Sequence, residues 1–177
     1  HPTRVGMGET YLKGQMTAAV LYGKEDIKIE KVPIPTLEPG EVLVKVNVAL
    51  TCGTDLKVYQ RGYHARMIVP PALFGHELSG VIEEVGPGVR DFRRGMKVVA
   101  LNSAPCGACF YCLKHQENIC EDLLFNNGAY AEYIKIPRRI VETNMLALPD
   151  DLSFESAAMT EPLACALRGL QETGADI

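Results

Sequence analysis

Four cysteines fall within fifteen positions as Cys106-x2-Cys109-x2-Cys112-x7-Cys120, and no other feature restricts so strongly what this chain can fold into. Gly107 lets the backbone turn tightly between the first two. Four thiolates at about 2.3 Å from one Zn2+ complete a tetrahedron, so a loop of this kind builds a closed, structural site and not a catalytic one. The bacterial iron–sulfur run starts with the same two spacings, but its last cysteine follows after three residues and precedes a proline. Here it follows after seven and precedes Glu121, which favours zinc. Four unligated thiols packed as small hydrophobes would need four coincidental placements. Disulfides are a weaker reading: 177 residues, 47% of them hydrophobic, can bury a core without cross-links.

Charge narrows the function classes. Eighteen Lys and Arg against 22 Asp and Glu give −4, so no overall basic field recruits nucleic acid or an acidic membrane. Arg90, Arg93 and Arg94 form a local basic stretch that reads as a solvated edge. No apolar run approaches the roughly 18 residues of a membrane span. The run Ala18 to Tyr22 meets Lys24, Glu25 and Asp26 with no cleavage-type site. A soluble, cytoplasmic protein is expected, with no nucleic-acid and no membrane partner.

Residues 1–15 show no clear period and read as an extension or expression remnant, with a natural start available at Met16. Beyond it, apolar runs recur between turn residues: Met16 to Tyr22, Ile27 to Val32, Glu41 to Leu50, Leu78 to Val85, Met96 to Leu101 and Tyr130 to Ile136. This spacing predicts a mainly β domain with a few helices, an α+β class. The clearest strand follows Pro39-Gly40, and its alternation predicts Val42, Val44, Val46 and Val48 on one pleat face. Helices are predicted over Thr54 to Gln60, from a Ser153 cap through Met159, and from about Pro162 to Gly174.

A second group of metal-binding residue types stands at predicted strand ends, where scaffolds present reactive groups. Cys52-Gly53-Thr54-Asp55 follows the valine strand, and Gly75-His76-Glu77 precedes another. Cys52, His76 and a carboxylate from Glu77 or Glu161 would give zinc three protein ligands and one open position. Taken singly, each residue is weak evidence, since an isolated His or Cys is usually structural. Zinc held this way lowers the pKa of a bound hydroxyl.

Three segments together, Gly75-His76-Glu77-x2-Gly80-x5-Gly86-x2-Val89, Cys52-Gly53-x-Asp55 and the four-cysteine run, resemble the zinc-dependent medium-chain alcohol, sorbitol and threonine dehydrogenases. Gly128-Ala129-Tyr130-Ala131-Glu132-Tyr133 and Glu161-Pro162-Leu163-Ala164 extend the likeness from Met16 to about Gly174. The resemblance implies a GroES-like, partly open β-barrel over residues 16–177, with a structural-zinc lobe at 103–122. It implies that Cys52 and His76 are catalytic zinc ligands. Glu77 matches a glutamate that binds the metal in some members, and Glu161 stands where alcohol dehydrogenases place a second cysteine. The third ligand stays open between Glu77, Glu161, and Glu161 through water. Asp55 matches the carboxylate that orients the zinc-bound histidine. Thr54 matches the hydroxyl that passes the substrate proton toward solvent, although a helix cap also suits it. Cys165 reads as a small buried packing residue, Tyr63 and His64 as candidate lining of the substrate cleft, and His115 as exposed.

Hydride needs an acceptor, and no G-x-G-x-x-G run occurs; Gly86-x-Gly88 is followed by Val89, Arg90 and Asp91. The resemblance implies a longer chain whose NAD- or NADP-binding Rossmann domain follows a helix beginning in residues 161–177. Two zinc ions per chain, a homo-oligomer at full length, an alcohol or polyol substrate, and no turnover from this part alone are the corresponding expectations. The rival is a GroES-like zinc-knuckle module that binds without catalysis. The lobe's charge, Lys114 among Glu117, Glu121 and Asp122, argues against nucleic acid as its partner.

Overall fold

Alternating and continuous apolar runs become paired strands wherever they can bury a face, and turn residues cut them to length. The computed structural model describes residues 12–174. Residues 1–11 of the segment read as an extension, and 175–177 beyond the last predicted helix, lie outside the described residues.

Strand β1 (Gln15–Gly23) pairs antiparallel with β2 (Asp26–Pro33) and, on its other edge, with β4 (Ala72–Leu73). Gln15 sits opposite Pro33, the Gly14 carbonyl accepts from the Ile34 N–H at 3.0 Å, and the Leu12 N–H donates to Glu84 Oε1. Pairing therefore reaches into the segment read as an extension. The second sheet has the order β10 (Met145–Ala147), β6 (Lys97–Ala100), β5 (Glu77–Val85), β3 (Val42–Leu50), β9 (Tyr133–Ile136). A third pair joins β7 (Ser103–Ala104) to β8 (Leu124–Phe125) and closes the base of the four-cysteine loop. The Ala18–Ala131 bridge links the first two sheets. The result is mostly β with open sheets, as the recurring apolar runs predict.

The valine strand β3 lies centrally, hydrogen-bonded to β5 and β9. Its expected single valine face is interrupted. Val46 pairs with Gly80 but Val48 pairs with Ser79, so Asn47 is an extra residue that bulges the strand. Val42, Leu43 and Val44 are all buried, since both faces are covered at that end. Val42, Val44, Val98, Ile136 and Ile140 are 0% exposed and form the main core with Ile82 and Met145. Each such side chain contributes about 1.5–3 kcal/mol over its exposed state. A Cβ on Gly80 would fall 2.1 Å from the Lys45 carbonyl oxygen, so only glycine lets β5 approach β3 this closely.

Helix α1 (Gly53–Arg61) runs from the end of β3 and buries Val58 in a second cluster with Leu21, Ile68 and Phe74. A helix not anticipated from sequence, α2 (Arg138–Thr143), starts after Pro137 and buries Ile140 and Val141. Helix α3 (Phe154–Ala158) is capped by Ser153, whose hydroxyl accepts from the Ser156 N–H at 3.1 Å. Helix α4 (Thr160–Thr173) ends at Gly174 in the left-handed conformation and exposes Leu163, Leu167 and Leu170. Among the described residues no helix is long and apolar enough to cross a membrane.

Candidate metal centres

The four-cysteine lobe gathers its sulfurs by local backbone geometry. Gly107 takes φ +73, and the chain then turns through short 3-10 segments at Cys112–Lys114 and Glu117–Ile119. The Sγ atoms lie 3.5 Å apart for Cys109–Cys112 and 3.9 Å for Cys106–Cys112 and Cys109–Cys120. Tetrahedral zinc–sulfur bonds of about 2.3 Å require sulfurs about 3.8 Å apart, so the thiols already stand where such an ion needs them. Backbone N–H groups aim at the sulfurs: Cys109 N to Cys106 Sγ at 3.3 Å, and Cys106 N to Cys120 Sγ at 3.2 Å. Such bonds, from Cys112 and Glu121 backbone groups, bring Cys109 down to about 6, whereas burial and the Cys109 sulfur push Cys112 up to about 12. Arg66 ties the lobe to the body through the Cys120 carbonyl at 3.3 Å, and Arg139 through Asp122 at 2.8 Å. His115 is exposed and stands apart from the sulfur cluster, as expected.

The second cluster is assembled from separate elements. Cys52 is the N-cap of α1: its Sγ accepts from the Thr54 N–H at 3.4 Å, while Asp55 Oδ2 accepts from the Cys52 N–H at 2.9 Å. This is a capping box with sulfur in place of a hydroxyl. The cap is therefore Cys52 and not Thr54, whose hydroxyl remains free to line a neighbouring cleft. His76 and Glu77 enter at the start of β5, 4% and 3% exposed. Donor atoms of Cys52, His76 and Glu77 all lie within 4.8 Å of one another.

Around these three the sheet supplies an orienting layer. His76 Nδ1–H donates to Asp55 Oδ1 at 3.0 Å, which leaves Nε2 as the nitrogen for a metal. Burial works to lower the His76 pKa, but the bond to Asp55 and that carboxylate's charge push it up to about 9. Burial works to raise Asp55, and the His76 and Cys52 N–H groups hold it below the ordinary carboxylate value. Glu77 is pushed up by burial and by the Glu161 carboxylate, with His76 opposing. Two carboxyls facing each other in this way fit a cationic centre, which relieves their repulsion. Glu161, in the first turn of α4, thus stands beside Glu77 and outside the three-donor group. Cys165 does not pack in the interior as expected; it is exposed one turn along α4, its Sγ 3.6 Å from Glu161 Oε1, and partial burial and the Glu161 carboxylate, with Cys52 and Glu77 nearby, push its thiol up.

Tyr130 is the participant that sequence reasoning missed. Its hydroxyl donates to Asp55 Oδ2 at 2.9 Å, with the Leu50 carbonyl at 3.0 Å and the Thr51 hydroxyl at 3.1 Å. The ring packs edge-on against Phe74, centroids 5.6 Å apart, and against Gly75, where φ is +83 and a Cβ would fall 2.5 Å from the ring. Gly128 and Ala129 N–H groups both donate to the Gly75 carbonyl, at 2.8 and 3.0 Å. The Gly128-Ala129-Tyr130 segment therefore clasps the loop that presents His76. Its only sequence signal was membership of a motif.

The alcohol dehydrogenase GroES-like domain family matches residues 38–149. Sorbitol dehydrogenase of Bacillus subtilis (strain 168) is 35% identical over 164 residues, 89% of this chain and 45% of that protein. L-threonine 3-dehydrogenase of Bacillus licheniformis is 36% identical over 162 residues, covering 88% and 46%. Among solved structures, a dehydrogenase assigned as zinc-binding from Sinorhizobium meliloti 1021, bound to NADP, superposes with a TM-score of 0.79 at 31% identity, covering 89% of this chain and 45% of that one. The chain spans less than half the length of the curated relatives it matches. With the β architecture, the lobe and a match over well over half its length, the chain belongs to the alcohol dehydrogenase GroES-like domain family.

Proposed function

We propose that this chain is the metal-bearing part of a zinc-dependent oxidoreductase that transfers hydride between a secondary alcohol or polyol and NAD(P). The observation that carries this reading is the convergence of Cys52, His76 and Glu77 donors within 4.8 Å, with Asp55 on the remaining nitrogen of His76. A binding module without catalysis has no need of a second cluster of this kind.

Zinc at this site supplies a Lewis acid that lowers the pKa of the substrate hydroxyl. Cys52 Sγ and His76 Nε2 would hold the ion, and Glu77 would complete the protein set or yield to Glu161. One thiolate and one carboxylate would balance the charge of Zn2+, so the site would not repel a negatively charged substrate oxygen. Asp55 fixes the His76 tautomer and orientation, and Tyr130 in turn fixes Asp55. Thr54 passes the substrate proton outward along the cleft it lines. Residues 16–177 form the catalytic domain, with 103–122 as its structural-zinc lobe, and a nucleotide-binding domain packs on the apolar stripe Leu163, Leu167 and Leu170 of α4. Sorbitol and L-threonine dehydrogenase relatives support an alcohol substrate, and the NADP-bound neighbour supports the acceptor.

The test is metal content. The chain should hold two zinc ions, and Cys52→Ala should release the more weakly held one while the lobe keeps its own. A single zinc unaffected by that substitution would overturn the reading.

A further inference from the structure

Beside Thr54 the surface folds into a cleft of about 330 Å3 whose lining also includes Lys57, Val58, Arg61, Tyr63 and His64. We propose that this cleft binds an oxyanionic group, a phosphate ester or a carboxylate, carried by the substrate whose hydroxyl reaches the Cys52–His76–Glu77 centre. The identification of the reacting end rests on the function proposed above; the cleft's affinity for an oxyanion does not.

The helical repeat builds one wall. Thr54, Lys57, Val58 and Arg61 follow one another at i, i+3, i+4 and i+7 and so share a face of α1. Val58 turns into the core, and the two cationic side chains flank it. The opposite wall is a tight hairpin. Gly62, left-handed at φ +91, reverses the chain; a Cβ there would strike the Lys24 backbone N at 2.5 Å. His64 and Ile68 then exchange backbone hydrogen bonds at 2.9 and 3.2 Å, and Asn127 Nδ2 anchors the hairpin through the Met67 carbonyl at 2.8 Å.

That hairpin fixes the chemistry His64 presents. Its Nδ1 accepts from the N–H groups of Arg66 at 3.2 Å and Met67 at 3.1 Å. A ring nitrogen that accepts twice carries no proton, so the proton is on Nε2, which is left as an outward donor. The cleft therefore offers an ammonium, a guanidinium, an imidazole N–H and a phenol hydroxyl, with no carboxylate in its lining. Neither Lys57 nor Arg61 takes part in an ion pair among the described residues, although the chain as a whole carries −4. The negative end of the α1 dipole accounts for Arg61 in the last turn, but not for Lys57 at mid-helix. Several donors lining one cleft, a guanidinium among them, are the recognition chemistry of phosphates and carboxylates.

The experiment is a titration of inorganic phosphate into the zinc-loaded chain at constant ionic strength, followed by the NMR resonances of the His64 ring and of residues 61–67. Saturable shifts there are expected, and Lys57→Gln with Arg61→Gln should weaken binding by about ten-fold or more, as loss of charged hydrogen bonds does. Equal shifts with chloride, or full binding by the double variant, would overturn the proposal. Glycerol phosphate and 3-hydroxybutyrate, each set against its neutral counterpart, glycerol or 1,3-butanediol, separate a phosphate ester from a carboxylate. No preference for either charged member would also overturn it. Zinc content is read on the same samples. Absent phosphate binding with the second zinc retained rejects the cleft alone, whereas phosphate binding by a chain without a second zinc rejects the dehydrogenase reading and leaves the cleft standing.

Discussion

The lobe draws its four sulfurs from one short run of chain and holds them with that run's own N–H groups, whereas the Cys52–His76–Glu77 cluster draws its donors from the start of α1 and the start of β5. The first is closed by its ligand count. The second brings three donors together and depends on a further layer: Asp55 lies 21 positions from His76, and Tyr130 lies 75 from Asp55. A local site keeps its shape if the surrounding sheet shifts; a site assembled across elements is only as well formed as the sheet that supports it. The two should therefore fail independently, which three measurements test.

The largest effect is expected in the lobe. Cys112→Ala removes a buried sulfur from the proposed zinc site, and in isolated zinc fingers metal binding and folding are coupled by on the order of 10 kcal/mol. Hydrogen exchange should show lost protection from residue 106 to 122 while β3 and β5 stay protected and the other zinc remains bound. Collapse of the sheet as well would show that the lobe is not a separate unit.

A middle-sized effect belongs to the open site. Asp55→Asn should weaken its zinc affinity by roughly 10- to 100-fold, the usual result of losing a residue that orients a ligand. Tyr130→Phe keeps the ring packing on Phe74 and removes only the hydroxyl, so a smaller loss in the same direction is expected. Competition against a chromophoric chelator reads both, and the lobe's affinity should stay constant; an equal loss there would erase the distinction.

The smallest effect is on pH dependence once metal is removed. His76, raised from 6.5 to about 9, contributes stability that is full below 6.5 and lost as pH rises through 9. Asp55, held below its ordinary 3.8, contributes above that value and loses it in acid. Cys109, lowered from 9.0 to about 6, has the opposite slope to His76: its contribution grows from pH 6 to 9. Exchange corrected for intrinsic rates should then show lobe amides gaining protection across that window while those at the start of α1 and β5 lose it. Parallel changes would refute the assignment of separate electrostatics.

The lobe was legible in sequence because its chemistry is local, and the long strands because burial imposes a period. The cap that also suited Thr54 falls to Cys52, because sulfur is an unusual capping atom and the choice resolves only once the Cys52 and Asp55 bonds are seen together. The valine face was overextended because a bulge at Asn47 leaves no mark on the alternation. Ala72–Leu73, Ser103–Ala104 and Leu124–Phe125 are too short to show a period. Tyr130 could not be connected to Asp55 without the fold, since only the sheet and the Gly75 turn bring them together.

The Cys52 sulfur, the proposed metal donor, also sets the first turn of α1, and Thr54, Lys57 and Arg61 all project from that helix. A substitution at Cys52 would thus remove the cap on the Thr54 N–H together with the donor, loosening the turn from which the cationic wall of the cleft begins.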